Sequence, residues 1–580
     1  MSEAVPRWGA HEGEQGHWQF ATWAPQAQSL ELLLEGEALP MQRTANGWFT
    51  LSAPASAGMH YRFRIDGEET LADPASRSQP EGAFGPSALL GEAFAWQHGA
   101  WRGRPWREAV IYEIHIGAAG GSYAAVREQL PQLAALGITA IELMPVATFP
   151  GTRNWGYDGV LHYAPSAAYG TPEELKALVD AAHGLGLMVL LDVVYNHFGP
   201  DGNVMPVLAP AFFRDQVRTP WGAAVDFRRP EVQTYFVDNA LMWLQEYRFD
   251  GLRLDAVHAI HPPAFLDVLR ERVRSALPDR DIALVLENER NQASLLAGGF
   301  TAQWNDDFHN ALHALITGEG EGYYRDFADD PSERLRRVLA EGFAWQGEVN
   351  SSGHARGEPS AGISPRQFVV FAQNHDQIGN RAQGERLIEL VGARKAALAT
   401  ALTALTPMIP MFFLGEPWGA TSPFLYFTDH RPPLDAQVRE GRRSEFAHFS
   451  SFQGEATCAL VPDPNAVETF DASRSLWPSP QDRDAATWLE RFRNLLAVRG
   501  AHLVAEGEVH ALGAEVVAPG AIRAGWQLPG AQQWWIGFNT GDAPVAVRLP
   551  AGREVFRLGV ASSDGCLEPD GLYAVVVEAV

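Results

Sequence analysis

The chain has 580 residues, a net charge of −25 at neutral pH, 46% hydrophobic residues and two cysteines, Cys458 and Cys566. The length suits about three or four ordinary domains, or one large barrel with additions. The acidic balance argues against nucleic acid or an anionic membrane surface as a partner, and two distant cysteines give neither a disulfide framework nor a zinc site. The opening Met-Ser-Glu-Ala-Val-Pro-Arg-Trp lacks the basic start and apolar core of a signal peptide, so a cytoplasmic location is expected. The most apolar region, 396–414, contains Pro407 and Pro410. It reads as a buried helix passing into a buried strand rather than a membrane span.

Residues 1–97 read as an all-β module. Alternating runs at 18–24, 30–34 and 60–67 are separated by turn residues, and the last ends in the hairpin signal Asp66-Gly67. A small β-sandwich is predicted. Its task is either carbohydrate binding or packing against the next domain, and packing is favoured.

From about 98 to 500 strands alternate with helices. Strands are predicted at 110–116, 140–145, 187–194, 249–258, 283–288, 302–306, 367–376 and 410–416. A helix is expected over 123–136, closed by Gly137, and another opens at Thr171-Pro172. Eight near-continuous apolar strands with helices between them indicate an α/β fold, a parallel (β/α)8 TIM barrel. Two connections are long. One, at about 197–229, is predicted to form a lobe beside the cleft; the other, 327–365, a helix plus a mobile loop at the site. The run 425–430 leads into a stretch with Arg439, Arg442 and Arg443, and 488–498 reads as the last barrel helix. Alternation returns over 501–580, predicting a small C-terminal β-domain.

The chemistry concentrates where the strands end. In the fourth strand Arg253 and Asp255 alternate with Leu252 and Leu254, so both charges share one side. A charged pair on a central strand is costly unless it lines a wet cleft. The alternative is an ion pair that ties two elements together. Asp255, Glu287 and Asp376 close the fourth, fifth and seventh strands, on the barrel face that carries active sites. Paired carboxylates on neighbouring strands suit glycoside hydrolysis by the retaining route, with a separation of about 5 Å. Arg253 is expected to keep Asp255 ionised, and the apolar strand before Glu287 to keep that acid protonated. Trp304 is as readily core as sugar platform.

Four segments, 192–197, 251–255, Glu287 after its apolar strand and 374–376, resemble the signature regions of the α-amylase superfamily, in order and at barrel positions. The resemblance covers about 110–420. It implies Asp255 as nucleophile, Glu287 as general acid/base and Asp376 as transition-state stabiliser. It further implies that Asp192, His197, Arg253 and His375 position the sugar or the catalytic groups. Tyr157, in the segment 154–158, resembles the tyrosine that stacks under the sugar before the cut. A narrower likeness, to the malto-oligosyltrehalose trehalohydrolase subfamily, rests on 288–291, 303–309, 423–430 and 441–446. It adds Asp306 and His309 as substrate-binding candidates, and His258, at the end of the stretch 249–258, is a further one. Glu289 stands where that subfamily leads one to expect an aspartate. The implied substrate is malto-oligosyltrehalose or a related α-glucan, cut at the α-1,4 bond to release trehalose, with no cofactor and no metal. A glycogen branching or debranching enzyme with the same triad, and a non-catalytic glucan-binding protein, are the alternatives.

Overall fold

The structure is a computed structural model that describes residues 6–219, 222–446, 460–560 and 566–578; Cys458 lies outside them. The first module is two antiparallel sheets face to face. One holds Gly9–Glu12, His17–Trp23, Trp48–Pro54 and Gln42–Arg43; the other Glu37–Pro40, Leu30–Leu34, His60–Ile65, Glu69–Leu71 and Ser87–Ala88. Their alternating residues Trp18, Phe20, Leu32, Phe49 and Phe63 meet as one apolar core. The predicted hairpin forms at Asp66-Gly67, both with positive φ. Trp8 packs edge-on against Tyr235 of the next domain, and Arg77 pairs with Glu246.

The eight barrel strands are Ile111–Ile114, Ala140–Leu143, Met188–Val193, Gly251–Leu254, Ala283–Leu286, Ala302–Trp304, Phe368–Val370 and Ile409–Phe413. They are parallel, pair in chain order, and close when the first meets the eighth. Each strand is covered on both faces, which explains why all six residues of the third are buried. The helix Tyr123–Leu136 starts where Ser122 caps it and stops at Gly137, which has φ 96°. Thr171 and Glu174 form a capping box that opens Pro172–Gly184. The apolar region read as helix then strand is the helix Leu387–Leu405 followed by the eighth strand. Among the described residues no helix is long and apolar enough to cross a membrane.

The lobe after the third strand carries the antiparallel hairpin Phe213–Thr219 and Gly222–Val225. In the other long connection the helix Pro331–Glu341 is followed by a loop that Arg356 ties to Asp307 at 2.8 Å. The last barrel helix, Arg483–His502, is longer than its apolar pattern suggested. A five-stranded antiparallel sheet ends the chain, docked by the Trp534 indole N–H on the Leu405 carbonyl.

Candidate active site

Asp255 follows the fourth strand at its C-terminal end, and the next residue, Ala256, sits at φ 40° and ψ 50°. A residue with a Cβ is strained there. Ala256 N–H donates to Glu287 Oε2 at 2.9 Å, which ties the turn to the fifth strand's acid. The strained turn therefore links the two carboxylates directly.

Arg253 is the hub. Its Nη1 donates to Asp192 Oδ2 at 2.7 Å and to Asp255 Oδ1 at 2.8 Å, and its Nη2 to Glu287 Oε2 at 2.7 Å. The planar fork of a guanidinium can hold several carboxylates in fixed directions. Trp304 lies under it at 4.1 Å, so that tryptophan is buried support and not an exposed sugar platform. Asn196 adds a hydrogen bond to Asp255 Oδ2 at 2.7 Å.

The two acids held by this hub are driven apart. Burial pushes the Asp255 carboxyl up, but Arg253, the charge of His197 and the bonds from Asn196 and Glu287 outweigh it, so Asp255 lies below the ordinary carboxylate range. Burial, together with Asp255, Asp306 and Asp376, pushes Glu287 well above it against the pull of Arg253. One carboxylate ionised beside one protonated is the division of labour that acid-assisted nucleophilic displacement requires.

Asp376 stands at the start of the short helix His375–Gly379, capped by Asn374 and Gln377, and accepts a hydrogen bond from Asn380 at 2.6 Å. Two chambers meet at Glu287 and Asp376, with His258 and Asn380 on both walls. The first, about 470 Å³, is lined by Tyr157, Asp158, His197, Arg253, Asp255 and His375. The second, about 610 Å³, is lined by Glu289, Asp306, Glu319, Tyr323, Tyr324, Arg356 and Arg381.

The remaining candidates divide by position. Tyr157 donates to Asp192 Oδ2 at 2.6 Å and stacks on His375 with ring centroids 5.2 Å apart. His197 reaches the Tyr157 carbonyl at 2.9 Å. Asp192 is buried beneath Tyr157, and burial raises it to about 6 against the pull of Arg253. His258 lies 3.5 Å from Glu289. Asp306 opens the helix Asp306–Thr317 and faces the second chamber. Burial, then the charge of Asp376, raises it to about 7. His309 is placed elsewhere. It is buried, with its ring nitrogens 2.8 Å from the Ala372 carbonyl and 3.1 Å from the Tyr324 hydroxyl, and it lines neither chamber. Its ring is directed instead at the Ala372 carbonyl, just after the seventh strand. Among the described residues no group of three or more His, Cys, Asp or Glu side chains is arranged to hold a metal.

Several residues at the site carried no role in the sequence reading. Arg442 and Glu445 of the helix Leu434–Phe446 line the first chamber, and Arg442 donates to the Gly379 carbonyl at 2.6 Å. Glu113 and Glu142, on the first two barrel strands, are buried under the site. Their signal was present: a charge inside an apolar strand, the feature that singles out Arg253.

Comparison with known proteins adds three observations. The family model for the α-amylase catalytic domain matches residues 77–205, and that for carbohydrate-binding module 48, the isoamylase N-terminal domain, matches 7–77. The malto-oligosyltrehalose trehalohydrolase of Deinococcus radiodurans is 40% identical over 489 residues, covering 83% of this chain and 80% of that one. A 1,4-alpha-glucan branching enzyme of Streptomyces avermitilis is 36% identical over 280 residues, 44% of this chain and 47% of its own. The crystal structure of a putative α-amylase from Salmonella typhimurium superposes with a TM-score of 0.94 at 42% identity, covering 99% of this chain and all of that one.

Proposed function

The chain belongs to the malto-oligosyltrehalose trehalohydrolase family, and from that premise we propose that it cleaves the α-1,4 bond joining trehalose to a maltodextrin, with retention, using Asp255 and Glu287. The observation that carries the residue assignment is the single guanidinium of Arg253. It holds both carboxylates while their surroundings drive one toward the charged form and the other toward the neutral form.

Glu287 gives its proton to the glycosidic oxygen as Asp255 attacks the anomeric carbon. The bond to the leaving sugar breaks and a bond from Asp255 Oδ to carbon forms. Water then enters, Glu287 takes its proton as base, and the ester to Asp255 opens. In this reading the maltodextrin occupies the first chamber, over Tyr157, and the leaving trehalose occupies the second. Asp376 supplies negative charge and hydrogen-bond acceptors between the two, where positive charge develops on the ring. The exposed ring of Tyr323 and the polar groups of Asp306, Arg356 and Glu319 suit a disaccharide, whose faces are apolar and whose edges are hydroxyls.

Product analysis of the purified protein on maltotriosyl-trehalose, maltopentaose and glycogen tests the reading. Free trehalose from the first, with little reaction on the others, is expected. Branch transfer or α-1,6 cleavage on glycogen would move the chain to the branching or debranching enzymes. Glucan binding with no reaction on any of the three would make it a binding protein.

A further inference from the structure

Beneath the sugar-facing residues lies a buried carboxylate that the cleavage chemistry does not use. Glu113, in the middle of the first barrel strand, is 1% exposed. Its Oε1 lies 2.5 Å from His375 Nδ1, and its Oε2 accepts the His375 backbone N–H at 3.1 Å. We propose that Glu113 is a positioning residue for the cleavage: it clamps the His375 ring in place and keeps it doubly protonated, so that both ring nitrogens donate. The proposal rests on the glycosidase reading above.

Counting protons leads to the cation. Glu113 receives the His375 backbone N–H on Oε2 and faces the ring with Oε1, an acceptor toward both, so Nδ1 carries a proton. Tyr157 has one hydroxyl proton, and it goes to Asp192 Oδ2 at 2.6 Å. That same Asp192 oxygen takes an N–H from Arg253 at 2.7 Å, so Oδ2 accepts from both neighbours and the Tyr157 proton is spent on it. The Tyr157 oxygen is therefore an acceptor toward His375 Nε2, 2.9 Å away, and Nε2 must also donate. A histidine with two donating nitrogens is the imidazolium.

The groups around the ring agree. Glu113 faces it from the first strand, Arg253 from the fourth, and Asp376 is its neighbour in the chain. Tyr157 stacks on it, Trp155 meets it edge-on at 5.5 Å, and Trp304 lies 6.0 Å away. His115, after the first strand, feels the charge of His375 and is itself lowered to about 4, chiefly by burial. Burial and Arg253 work against a charge on His375. Glu113, with help from Asp376, outweighs them and raises the ring above its ordinary value.

The link to the reaction runs through Tyr157. If His375 were neutral with its proton on Nδ1, Nε2 would present a lone pair. The Tyr157 hydroxyl would then turn from Asp192 to Nε2, and Asp192 would lose one of its donors. Asp192 shares Nη1 of Arg253 with Asp255, so the nucleophile's support would shift with it. Glu113 thus acts on the reacting groups through His375, Tyr157, Asp192 and Arg253 in turn.

The test uses Glu113→Gln, His375→Gln and the double variant of the full chain. Glu113→Gln is expected to lower kcat/KM about 10- to 100-fold, the range for losing a charged hydrogen bond. Its alkaline limb should move to lower pH. In the His375→Gln background, adding Glu113→Gln should move that limb no further. Nitrogen-15 NMR of histidine-labelled wild type, with the His375 signal assigned by its loss in His375→Gln, should show both ring nitrogens protonated at pH 7. Glu113→Gln should show a neutral ring. A neutral His375 in the wild type overturns the proposal, and so does an equal shift of the pH limb with and without the histidine. The wild-type NMR measurement needs no substrate and no variant of Glu113. It decides the proposal if Glu113→Gln does not fold, and it stands apart from the product analysis.

Discussion

The strand Gly251–Leu254 has an aspartate at each end, and the two have opposite surroundings. Asp250, below the barrel, is fully buried, and four donors fill its two oxygens. Oδ1 accepts from the Trp101 indole at 2.8 Å and from Arg280 at 3.1 Å; Oδ2 accepts from Val189 N–H at 2.9 Å and is 3.0 Å from His183 Nε2. Asp255, above the barrel, takes Arg253 on one oxygen and Asn196 on the other, and opens on the first chamber. A carboxylate whose lone pairs are all occupied by protein holds elements together. One with capacity left can serve a substrate. The N-terminal face of a barrel is where the first kind belongs, the C-terminal face the second.

Substitution separates them. Asp255→Ala is expected to lower turnover of maltotriosyl-trehalose by on the order of 10⁴-fold or more, since it removes the nucleophile. Its temperature of half-inactivation should stay level or rise, because Asp192 and Glu287 then share Arg253 with one negative charge fewer. Asp250→Ala should do the reverse. It leaves Arg280 buried beside unfilled donors, a loss of about 3–5 kcal/mol, read as a large drop in the half-inactivation temperature. Turnover per folded molecule should hold. If Asp255→Ala were as destabilising as Asp250→Ala, the division between the two ends would be wrong.

The barrel was legible because periodicity and length settle it: a strand covered on both faces is a continuous apolar run. The three carboxylates were legible for a related reason, since charge at the end of such a run is costly without a use. What sequence could not give is which charges are already satisfied. Asp250 and Asp255 flank the same four residues; apart from Arg253, two residues before Asp255, the side-chain partners that distinguish them come from 30 to about 150 residues away. His309 was assigned to substrate by its motif, yet folding spends its ring nitrogens on Ala372 and Tyr324. Glu113 and Glu142 were readable as anomalies. They pair in register on adjacent strands, and their relation to His375 and Asp192 appears only when the barrel closes.

Asp306 and Asp307 repeat the comparison within one residue step, and they carry the smallest expected effect. Asp307 is buried and filled: Arg356 on Oδ1 at 2.8 Å, and Asn291, Ala344 N–H and Trp345 N–H on Oδ2. Asp306 faces the second chamber and is raised to about 7 by burial and by Asp376. Its charge helps to raise Glu287. Asp306→Asn removes that charge, so Glu287 should release its proton at lower pH, and the alkaline limb of kcat/KM should move acid-ward. Unlike the shift expected of Glu113→Gln, this one should persist when His375 is replaced. Stability should move as well. A carboxyl raised from 3.8 to about 7 on folding binds its proton more tightly in the folded chain, so its contribution falls as pH rises through that window. Asn does not titrate, and the variant's advantage over wild type in thermal unfolding should grow from about pH 4 to about pH 7 and then level off. An advantage that shrinks over that range would show that Asp306 binds its proton less tightly in the folded chain than in the unfolded one, and would remove it as a source of the raised Glu287.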